Sequence, residues 1–435
     1  MFLRRRFYLL LSVVIVIIGT GYWFSPLFII GQVLLCLFTL LVISEILVLY
    51  IKGGITSSRH CSDRFSNGDD NEIRLSIESS YPFTVQLDIT DEIPAIFQRR
   101  DILFHTQAHP AARENITYRL RPVRRGVYSF GYIRVFVTTR IGCVERRFTC
   151  GKPQDVKVYP SFQMLHRYEL LAISNRLTDL GIKRIRRVGH NTEFEQIKDY
   201  VQGDDFRTIN WKASARTNQL KVNVYQDERS QQVFNIIDKG RVMQQSFRGM
   251  TLFDYAINAS LVLSYVAMRR EDKAGLCTFS NKVDTFIPAQ RSPGHMQTLL
   301  ESLYRQETDF GETDFSELVS NMKHHVTKRS LFILYTNFNG LITMQRQLPF
   351  LKQLSNQHRL LVVFFEDSEL KDYLSTSPTN TEEYYQQVIA EKFAYEQRLI
   401  VSKLKQQGIL SLFTTPENLS IDIINKYLEI KTVLS

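Results

Sequence analysis

The sequence predicts a mixed fold: two apolar amino-terminal helices, then a small antiparallel β-sandwich, then a mostly parallel α/β sheet. Three observations support this order. Residues 7–51 are almost free of charge, later residues form short alternating strands, and apolar strands then alternate with amphipathic helices. The expected organisation is a transmembrane hairpin over 1–52, a linker over 53–70, the sandwich over 71–159, a helical and loop connector over 160–231, and the α/β domain over 232–435.

The composition is that of a folded protein with more than one domain. The chain has 435 residues, of which 44% are hydrophobic and 23% are charged. These fractions are close to globular averages, so most of the chain can bury a core. The formal net charge of +10 permits attraction to anionic lipid or nucleic acid and requires neither.

The five cysteines show no paired metal-ligand spacing. An odd number without a framework spacing is typical of free thiols in a reducing compartment. Cys143 and Cys150 are close enough in sequence that a pairing across a hairpin stays open.

The amino terminus has the pattern of a membrane hairpin. Residues 7–24 carry no charge, residues 27–51 carry only Glu45, and a short Ser-Pro turn separates the two runs. Each run is long enough to approach the roughly 30 Å hydrocarbon thickness. Basic residues flank both outer ends and are absent from the turn, so the positive-inside bias places both ends in the cytoplasm. We therefore expect residues 7–51 to lie in the bilayer of the inner (cytoplasmic) membrane, with the folded domains facing the cytoplasm.

Two details of this hairpin have alternative interpretations. A cleaved signal peptide could account for the first run, but the second run follows at once and disfavours it. Glu45 is a carboxylate within a membrane segment, which is often functional. Because it lies near the cytoplasmic end, we expect it to reach the headgroups or to pair within the hairpin.

Beyond residue 53 the composition and the hydrophobic pattern of the chain change twice. Residues 53–70 are polar and rich in Gly and Ser, which predicts a linker. From Glu72 apolar residues alternate, as in Ile73, Leu75 and Ile77, and similar strands continue to about Val158 with no helix among them. Short strands at such intervals predict an antiparallel sandwich.

From residue 232 a repeated α/β pattern predicts an open sheet, and ligands of such sheets bind at the carboxyl ends of the strands. Asp238 follows the first strand, Thr313 lies between two helices, and Asn337 follows a later strand. We expect these three side chains to lie at one edge of the sheet.

This strand order and these loops resemble a von Willebrand factor A domain, which is a Rossmann-like fold. In that family an Asp-x-Ser-x-Ser loop, a threonine and a second acid bind a divalent metal that a partner's carboxylate completes. Asp238 matches the first acid and Thr313 the threonine, but Gly240 and Val242 replace the serines and Asn337 the second acid. We therefore expect no bound cofactor. An intact site of this kind would bind magnesium or manganese. Asp238 could instead cap a backbone turn.

Residues 189–229 form a charged segment that also contains Trp211, one of only two tryptophans. One interpretation is an ionic clasp between sandwich and α/β domain, with pairs such as Asp205–Arg216 or Glu195–Arg207 and Trp211 as the apolar anchor. The other is a recognition surface for a protein partner. The residues of this motif that we single out are Glu195, Tyr200, Asp204, Asp205, Arg207, Trp211, Lys212 and Arg216.

The same segment, followed by such an α/β domain, resembles the domain of unknown function 58 family. The resemblance includes Gly189, Glu193-Phe194-Glu195, Tyr200, Gly203-Asp204-Asp205, Arg207, Ile209, Trp211-Lys212, Ser214-Ala215-Arg216, Leu220, Val222 and Glu228. Lys198 departs from the family, which usually has arginine there. The resemblance implies a membrane-anchored, cytoplasm-facing protein with an A-type domain, expected beside MoxR-type AAA+ ATPases and without an established enzymatic activity.

Three functions follow from these patterns. The leading one is a non-enzymatic scaffold that presents the A-type domain to a MoxR-type AAA+ ATPase system acting on envelope or membrane complexes. The second is a metal-dependent hydrolase that uses the acids of residues 193–205, although the chain has no Gly-x-Ser-x-Gly, His-Glu-x-x-His or phosphate-loop motif. The third is binding of nucleic acid or lipid through a basic run that lacks aromatic residues for stacking, so we expect no nucleic acid. That run comprises Lys183, Arg184, Arg186 and Arg187.

Overall fold

The computed structural model divides the protein into two compact units, Met1–Tyr159 and Pro160–Ser435. It describes every residue except 52, 98–101, 111, 162–191, 202–205, 207–208, 218, 228–229, 367–369, 371–372, 375–377, 379 and 435. Residues 162–191 of the expected helical and loop connector, which include the basic run beginning at Lys183, lie outside the described residues.

Unit 1 begins with two helices, α1 (Arg5–Thr20) and α2 (Ser25–Ile51), which contact each other. Gly31 permits this contact, because a Cβ there would lie 2.6 Å from the Ile18 side chain. Among the described residues only α2 is long and apolar enough to cross a membrane, since an 18-residue window within Pro26–Ile51 has a mean hydropathy of 2.6. The helix pair is therefore observed, and its insertion as a two-helix membrane hairpin stays a prediction.

Polar contacts hold the carboxyl-terminal end of α2 against the strands of unit 1. Glu45 is buried, and its Oε1 atom accepts hydrogen bonds from the Thr139 hydroxyl and the Gly142 N–H. The Leu49 carbonyl accepts from the Tyr81 hydroxyl at 2.8 Å. Glu45 thus bonds to a turn between strands, and not to headgroups or to the other helix as expected.

The strands of unit 1 form a sandwich-like arrangement of three sheets. One sheet has the order β1-β10-β9-β5-β6, the second β2-β4-β7 and the third β3-β11-β8, and their inward residues share one apolar core. The bounds are β1 Phe2–Leu3, β2 Ile55–Cys61, β3 Arg64–Ser66, β4 Asn71–Ser79, β5 Val85–Asp91, β6 Leu103–Ala108, β7 Arg113–Leu120, β8 Gly126–Phe130, β9 Ile133–Thr138, β10 Val144–Cys150 and β11 Gln154–Tyr159.

The linker predicted over residues 53–70 is wrong, because β2 and β3 lie within that range. β2 pairs antiparallel with β4, and β3 pairs parallel with β11. The sequence of this segment is polar because some of its polar side chains are buried and form polar contacts. Arg59 is almost fully buried, forms an ion pair with Asp91 and donates to the Gly131 carbonyl at 3.0 Å. Tyr118 also donates to Asp91.

All five cysteines are free in the structure. Cys143 and Cys150 lie at opposite ends of β10, so an extended strand separates them by roughly 20 Å. A disulfide between them across a hairpin is therefore incompatible with this fold.

Unit 2 contains a six-stranded sheet of order β18-β17-β14-β19-β20-β21, in which only β18 is antiparallel to its neighbour. Its strands are β14 Gln232–Asp238, β17 Lys273–Phe279, β18 Val283–Gln290, β19 Leu331–Tyr335, β20 Arg359–Phe365 and β21 Leu410–Thr414. Two short strands, β15 Ser246–Phe247 and β16 Met250–Thr251, pair outside it. The predicted strands of this sheet are confirmed.

Helices cover both faces of this sheet. One face packs against α4 (Leu252–Arg269), α5 (His295–Tyr304) and α9 (Leu419–Leu434). The other packs against α6 (Phe315–His325), α7 (Leu341–Gln357) and the carboxyl-terminal part of α8 (Thr381–Gln406). We did not expect α7, because its sequence is polar and includes Pro349.

The connector expected to be helical and loop-like contains a β-hairpin. β12 (Thr192–Asp199) pairs antiparallel with β13 (Lys221–Asp227), and α3 (Trp211–Thr217) lies between them in sequence. We call residues 192–227 the motif hairpin.

The buried ion pair of unit 1 provides a test of the corrected role of residues 53–70. Arg59→Met should lower the free energy of unfolding of the sandwich by about 3–5 kcal/mol, because it leaves Asp91 buried without its cation. Arg74→Met is the control, since Arg74 pairs with Glu72 on the surface and its loss should cost less than about 1 kcal/mol. Pulse proteolysis of the full chain in urea measures both, and equal small effects would contradict the assignment.

Candidate functional site

The carboxyl edge of the unit 2 sheet brings Asp238 and Thr313 together. Asp238 is the last residue of β14, which lies between β17 and β19. In sheets of this order, ligands usually bind where the connections leave the sheet in opposite directions. The geometry around Asp238 therefore decides what this edge can bind.

Three donors surround the Asp238 carboxylate, which is fully buried. Its Oδ1 atom accepts from the Gly240 N–H at 2.7 Å and from the Thr313 hydroxyl at 2.8 Å. Its Oδ2 atom accepts from the Thr336 hydroxyl at 2.7 Å. Burial raises the pKa of Asp238, and the three hydrogen bonds act in the opposite direction. The bond from Gly240 is the turn-capping contact expected as the alternative to metal binding.

Gly240 allows the Thr313 hydroxyl to approach Asp238. A Cβ atom at residue 240 would lie 1.8 Å from the Thr313 Oγ1 atom and 2.9 Å from the Asp238 Oδ1 atom. A serine in this position, as a metal-binding A-type loop requires, would overlap the threonine side chain. The glycine is therefore part of the closed arrangement.

Residues of other segments also form polar contacts with the loop around Gly240. The Lys239 ammonium pairs with Asp284 at 2.8 Å, and the Lys239 carbonyl accepts from the Thr308 hydroxyl at 2.6 Å. The sequence places Thr336 and Lys239 at this edge of the sheet but indicated no role for either, and it gave no signal for Asp284. Thr336 directly precedes Asn337, so its position after a buried strand was the available signal.

Asn337 has a different environment from the one expected. Its side-chain oxygen accepts from the Phe338 N–H at 3.0 Å. It also lines a cavity of about 260 Å³ with aromatic and polar neighbours that include Phe247, Glu366 and Phe393. The described contacts of Asn337 therefore give it a local structural role and a place in the cavity wall.

These residues do not fit a magnesium or manganese site. Such cations take about six oxygen ligands, most of them from carboxylates, carbonyls and water. Both Asp238 oxygens already accept hydrogen bonds, and the position of Gly240 supplies no hydroxyl. Within the described ranges no cluster of three or more His, Cys, Asp or Glu side chains could hold a metal. We assign no metal chemistry to Asp238, Thr313 or Asn337.

In the motif hairpin, hydrogen bonds fix α3 against β13. The Asn210 side chain accepts from the Ala213 N–H at 3.0 Å, which caps the helix, and donates to the Asn223 side chain at 2.8 Å. The Ser214 hydroxyl accepts from the Lys221 N–H at 2.9 Å. The inward face of α3 is thus held by small and polar side chains.

The outward face of α3 is exposed. Trp211 is 70% exposed, and Lys212, Ala215 and Arg216 are exposed beside it. Within the described part of unit 2 the cap and the serine contact hold the helix in place. The role of Trp211 as the apolar anchor of a clasp between sandwich and α/β domain stays a prediction. The positions 211, 212, 215 and 216 share one side of the helix.

Further apolar and charged groups of the motif hairpin lie near α3 in sequence. Phe206 is exposed, and its ring lies 5.7 Å from the Tyr200 ring, which is half-buried. Lys221 forms an ion pair with Asp199 at 2.6 Å. Asp204, Asp205, Arg207 and the Glu195 side chain lie outside the described residues, so the expected Asp205–Arg216 and Glu195–Arg207 pairs stay predictions.

Part of the chain is similar to proteins of unknown function. The family model described as "Protein of unknown function DUF58" matches residues 196–373. The uncharacterized protein YeaD of Bacillus subtilis is 23% identical over 190 residues, which cover 43% of this chain and 44% of that protein. An uncharacterized protein of Mycobacterium tuberculosis is 19% identical over 177 residues, 40% of this chain and 55% of that one. The chain thus spans about half the length of the curated relatives it matches.

Solved structures also match parts of the chain. The conserved hypothetical protein BatB from Bacteroides thetaiotaomicron is 12% identical, with a TM-score of 0.30 and coverage of 47% of this chain and 100% of that one. The CARDB domain of a Pyrococcus furiosus protein is 13% identical, with a TM-score of 0.19 and coverage of 25% and 96%.

The close approach at Gly240 predicts a specific energetic coupling. Gly240→Ala should destabilise unit 2 by roughly 1–3 kcal/mol because the new methyl group overlaps the Thr313 hydroxyl. The double variant with Thr313→Ala should be less destabilised than the sum of the single variants, as a double-mutant cycle in urea would measure. Gly311→Ala is the control, because the nearest atom to its Cβ lies at 3.8 Å. Strict additivity would contradict this contact.

The hydrogen bonds of Asp238 also predict that the full chain does not bind a divalent cation at this edge. Isothermal titration of the detergent-solubilised, chelator-treated protein with magnesium and with manganese should show no saturable heat that depends on Asp238. Asp238→Asn tests this dependence, and Asp309→Asn, a neighbouring exposed acid, is the control. Saturable binding that only Asp238→Asn removes would show that the site binds metal.

Proposed function

We propose that this protein is a membrane-anchored, non-enzymatic interaction protein. α2 anchors it, with α1 completing a hairpin, and the von Willebrand factor A-like unit 2 faces protein partners at the cytoplasmic side of the inner membrane. The anchoring proposal is supported by the length and apolar composition of α2. The proposal for unit 2 is supported by its strand order and by the exposed motif hairpin.

The partner that we propose is a MoxR-type AAA+ ATPase system that acts on envelope or membrane complexes. This choice rests on the family resemblance of residues 189–229. The chain spans only about half the length of its curated relatives. The partner and the process are therefore proposals for this chain.

The exposed Trp211 is the observation that carries the proposal. A tryptophan that serves only packing is normally buried, and Trp and Arg are the residues most enriched among interface anchors. Here Trp211 lies beside Lys212 and Arg216 on a helix that hydrogen bonds already fix. Such preorganisation lowers the entropy cost of binding.

The charge around α3 indicates the kind of surface it would meet. Residues 206–226 contain four basic side chains and no acidic one. A partner surface that is acidic at its rim and has an apolar recess for an indole would be complementary. A hydrolase that uses the acids of residues 193–205 is less well supported, because the chain has none of the Gly-x-Ser-x-Gly, His-Glu-x-x-His or phosphate-loop motifs.

Capture from solubilised membranes tests this function. The tagged full chain should recover an AAA+ ATPase at physiological salt, and Trp211→Ala or Arg216→Glu should reduce recovery at least about tenfold, because each removes a central contact. Arg346→Glu is the matched control, since Arg346 is an exposed base elsewhere on unit 2.

Two outcomes would contradict the proposal. In the first, the intact chain recovers no ATPase. In the second, the control variant reduces recovery as much as the variants of α3 do.

A further inference from the structure

The loop between β9 and β10 is bonded to both amino-terminal helices. We call residues 139–143 the β9–β10 loop. The Arg6 guanidinium, at the start of α1, donates to the Ile141 carbonyl at 3.2 Å. The Glu45 carboxylate of α2 accepts two hydrogen bonds from the loop, one from a hydroxyl and one from a backbone N–H. Polar contacts therefore fix the position of this loop relative to α1 and α2.

The helix lengths place the β9–β10 loop at the surface of the bilayer that the helices would enter. From Glu45 back to Ser25, α2 rises about 30 Å at ~1.5 Å per residue, which matches the hydrocarbon thickness of roughly 30 Å. In α1, Arg6 is the charged residue next to the uncharged run of residues 7–24. Because Arg6 and Glu45 bond to the same loop, both helices leave the hydrocarbon at the level of this loop.

Basic and apolar side chains are exposed at this level. Arg5, Arg6 and Arg140 are exposed, and Ile141 is 45% exposed. Within the described part of the chain, no ion pair joins any of these arginines to a carboxylate. We call the three arginines and the isoleucine the loop patch.

Most acids around the loop patch already pair with bases. The ion pairs at this end of unit 1 are Arg4–Asp88, Arg4–Glu145, His105–Asp88 and Arg113–Glu78. Glu114 lies at the same end, on β7, which is the edge strand of a different sheet. On β10, Arg146 and Arg147 lie over aromatic rings and add two positive charges. Positive charge therefore predominates at the loop patch.

We propose that the loop patch binds the headgroups of anionic phospholipids at the membrane surface. This inference rests on the membrane anchoring proposed above. The guanidinium groups of Arg5, Arg6 and Arg140 donate to phosphate oxygens, which their planar geometry fits. The Ile141 side chain enters the apolar boundary beneath the headgroups.

The position of the loop patch favours lipid over an acidic protein as its occupant. Tyr8 and Leu9, which follow Arg6 in α1, are 58% and 65% exposed and belong to the uncharged run that faces lipid chains. Headgroups therefore lie beside the three arginines as soon as α1 is inserted, whereas a protein would have to displace them. Because Glu45 joins the loop to α2, bound headgroups would also hold the sandwich against the membrane surface.

Lipid competition tests this contact in the full chain. The detergent-solubilised protein is mixed with equal amounts of anionic phosphatidylglycerol and zwitterionic phosphatidylcholine, and native mass spectrometry counts the bound lipids. Phosphatidylglycerol should be enriched among them. Arg140→Glu and Arg5→Glu should each lower this enrichment at least about fivefold, because each arginine near an anionic surface contributes roughly that factor.

Two further variants separate charge at the loop patch from charge in general. Arg124→Glu is the matched control, because Arg124 is an exposed base that follows β7, at the end of the sandwich away from α2. It should leave the enrichment unchanged. Arg140→Lys should retain most of it, since lysine keeps the charge and loses only the planar fork. All four variants should unfold at the wild-type temperature, because the substituted side chains are exposed.

Four results would overturn the proposal. In the first, the wild-type chain shows no enrichment, which would favour an acidic protein as the occupant. In the second, both glutamate variants of the loop patch keep the enrichment, and in the third Arg124→Glu loses as much as they do. In the fourth, excess inorganic phosphate displaces the bound phosphatidylglycerol, which would assign the loop patch to free anions.

Alkaline carbonate extraction of membranes separates this inference from the anchoring on which it rests. A chain that stays in the membrane pellet but shows no enrichment would reject the loop patch alone. A chain that carbonate releases would reject the anchoring and the loop patch together.

Discussion

The α/β unit depends on one buried carboxylate at the end of its first parallel strand. An ionised or neutral acid in an apolar interior needs hydrogen-bond donors, because burial removes its water. Asp238 obtains them from its own turn, from the loop before α6 and from the residue that follows β19. The three segments are thereby held at one edge of the sheet. The same contacts occupy three of the roughly four lone-pair sites of the carboxylate, so they compete with a divalent cation for Asp238.

Unit 1 follows the same physical rule. Some of its buried polar groups obtain their partners from distant segments of the chain, as Glu45 does from the Thr139 hydroxyl and Arg59 from Asp91. Glu45 fixes the end of α2 to a turn of the sandwich, and Arg59 links β2 to β5. Such pairs cost desolvation and give specificity of arrangement, because removal of one partner leaves the other buried and unsatisfied. A polar segment can therefore be an integral part of a core.

The regions with functional potential are the ones that the fold leaves uncovered. In the motif hairpin, α3 is fixed by its cap and by Ser214, and Trp211 on its outer side is largely exposed. In unit 1, Arg6 and Glu45 fix the β9–β10 loop, which leaves Arg140 and Ile141 exposed. Both surfaces are basic, but only the loop patch adjoins the apolar helices α1 and α2. They would accordingly select different partners.

Local patterns in the sequence determined most of the elements of unit 2. Burial on both faces gives the strand that ends at Asp238 a continuous apolar run, and burial on one face gives the helix His295–Tyr304 a period of 3.6 residues. These patterns also indicated Asp238 and Thr313 as neighbours. Tertiary structure alone decided which groups satisfy Asp238, since Thr313 and Thr336 lie 75 and 98 residues away in the chain. It also decided that residues 55–61 are a strand and that Trp211 is exposed. In each case the deciding partner is distant in sequence, and no local period carries information about a distant partner.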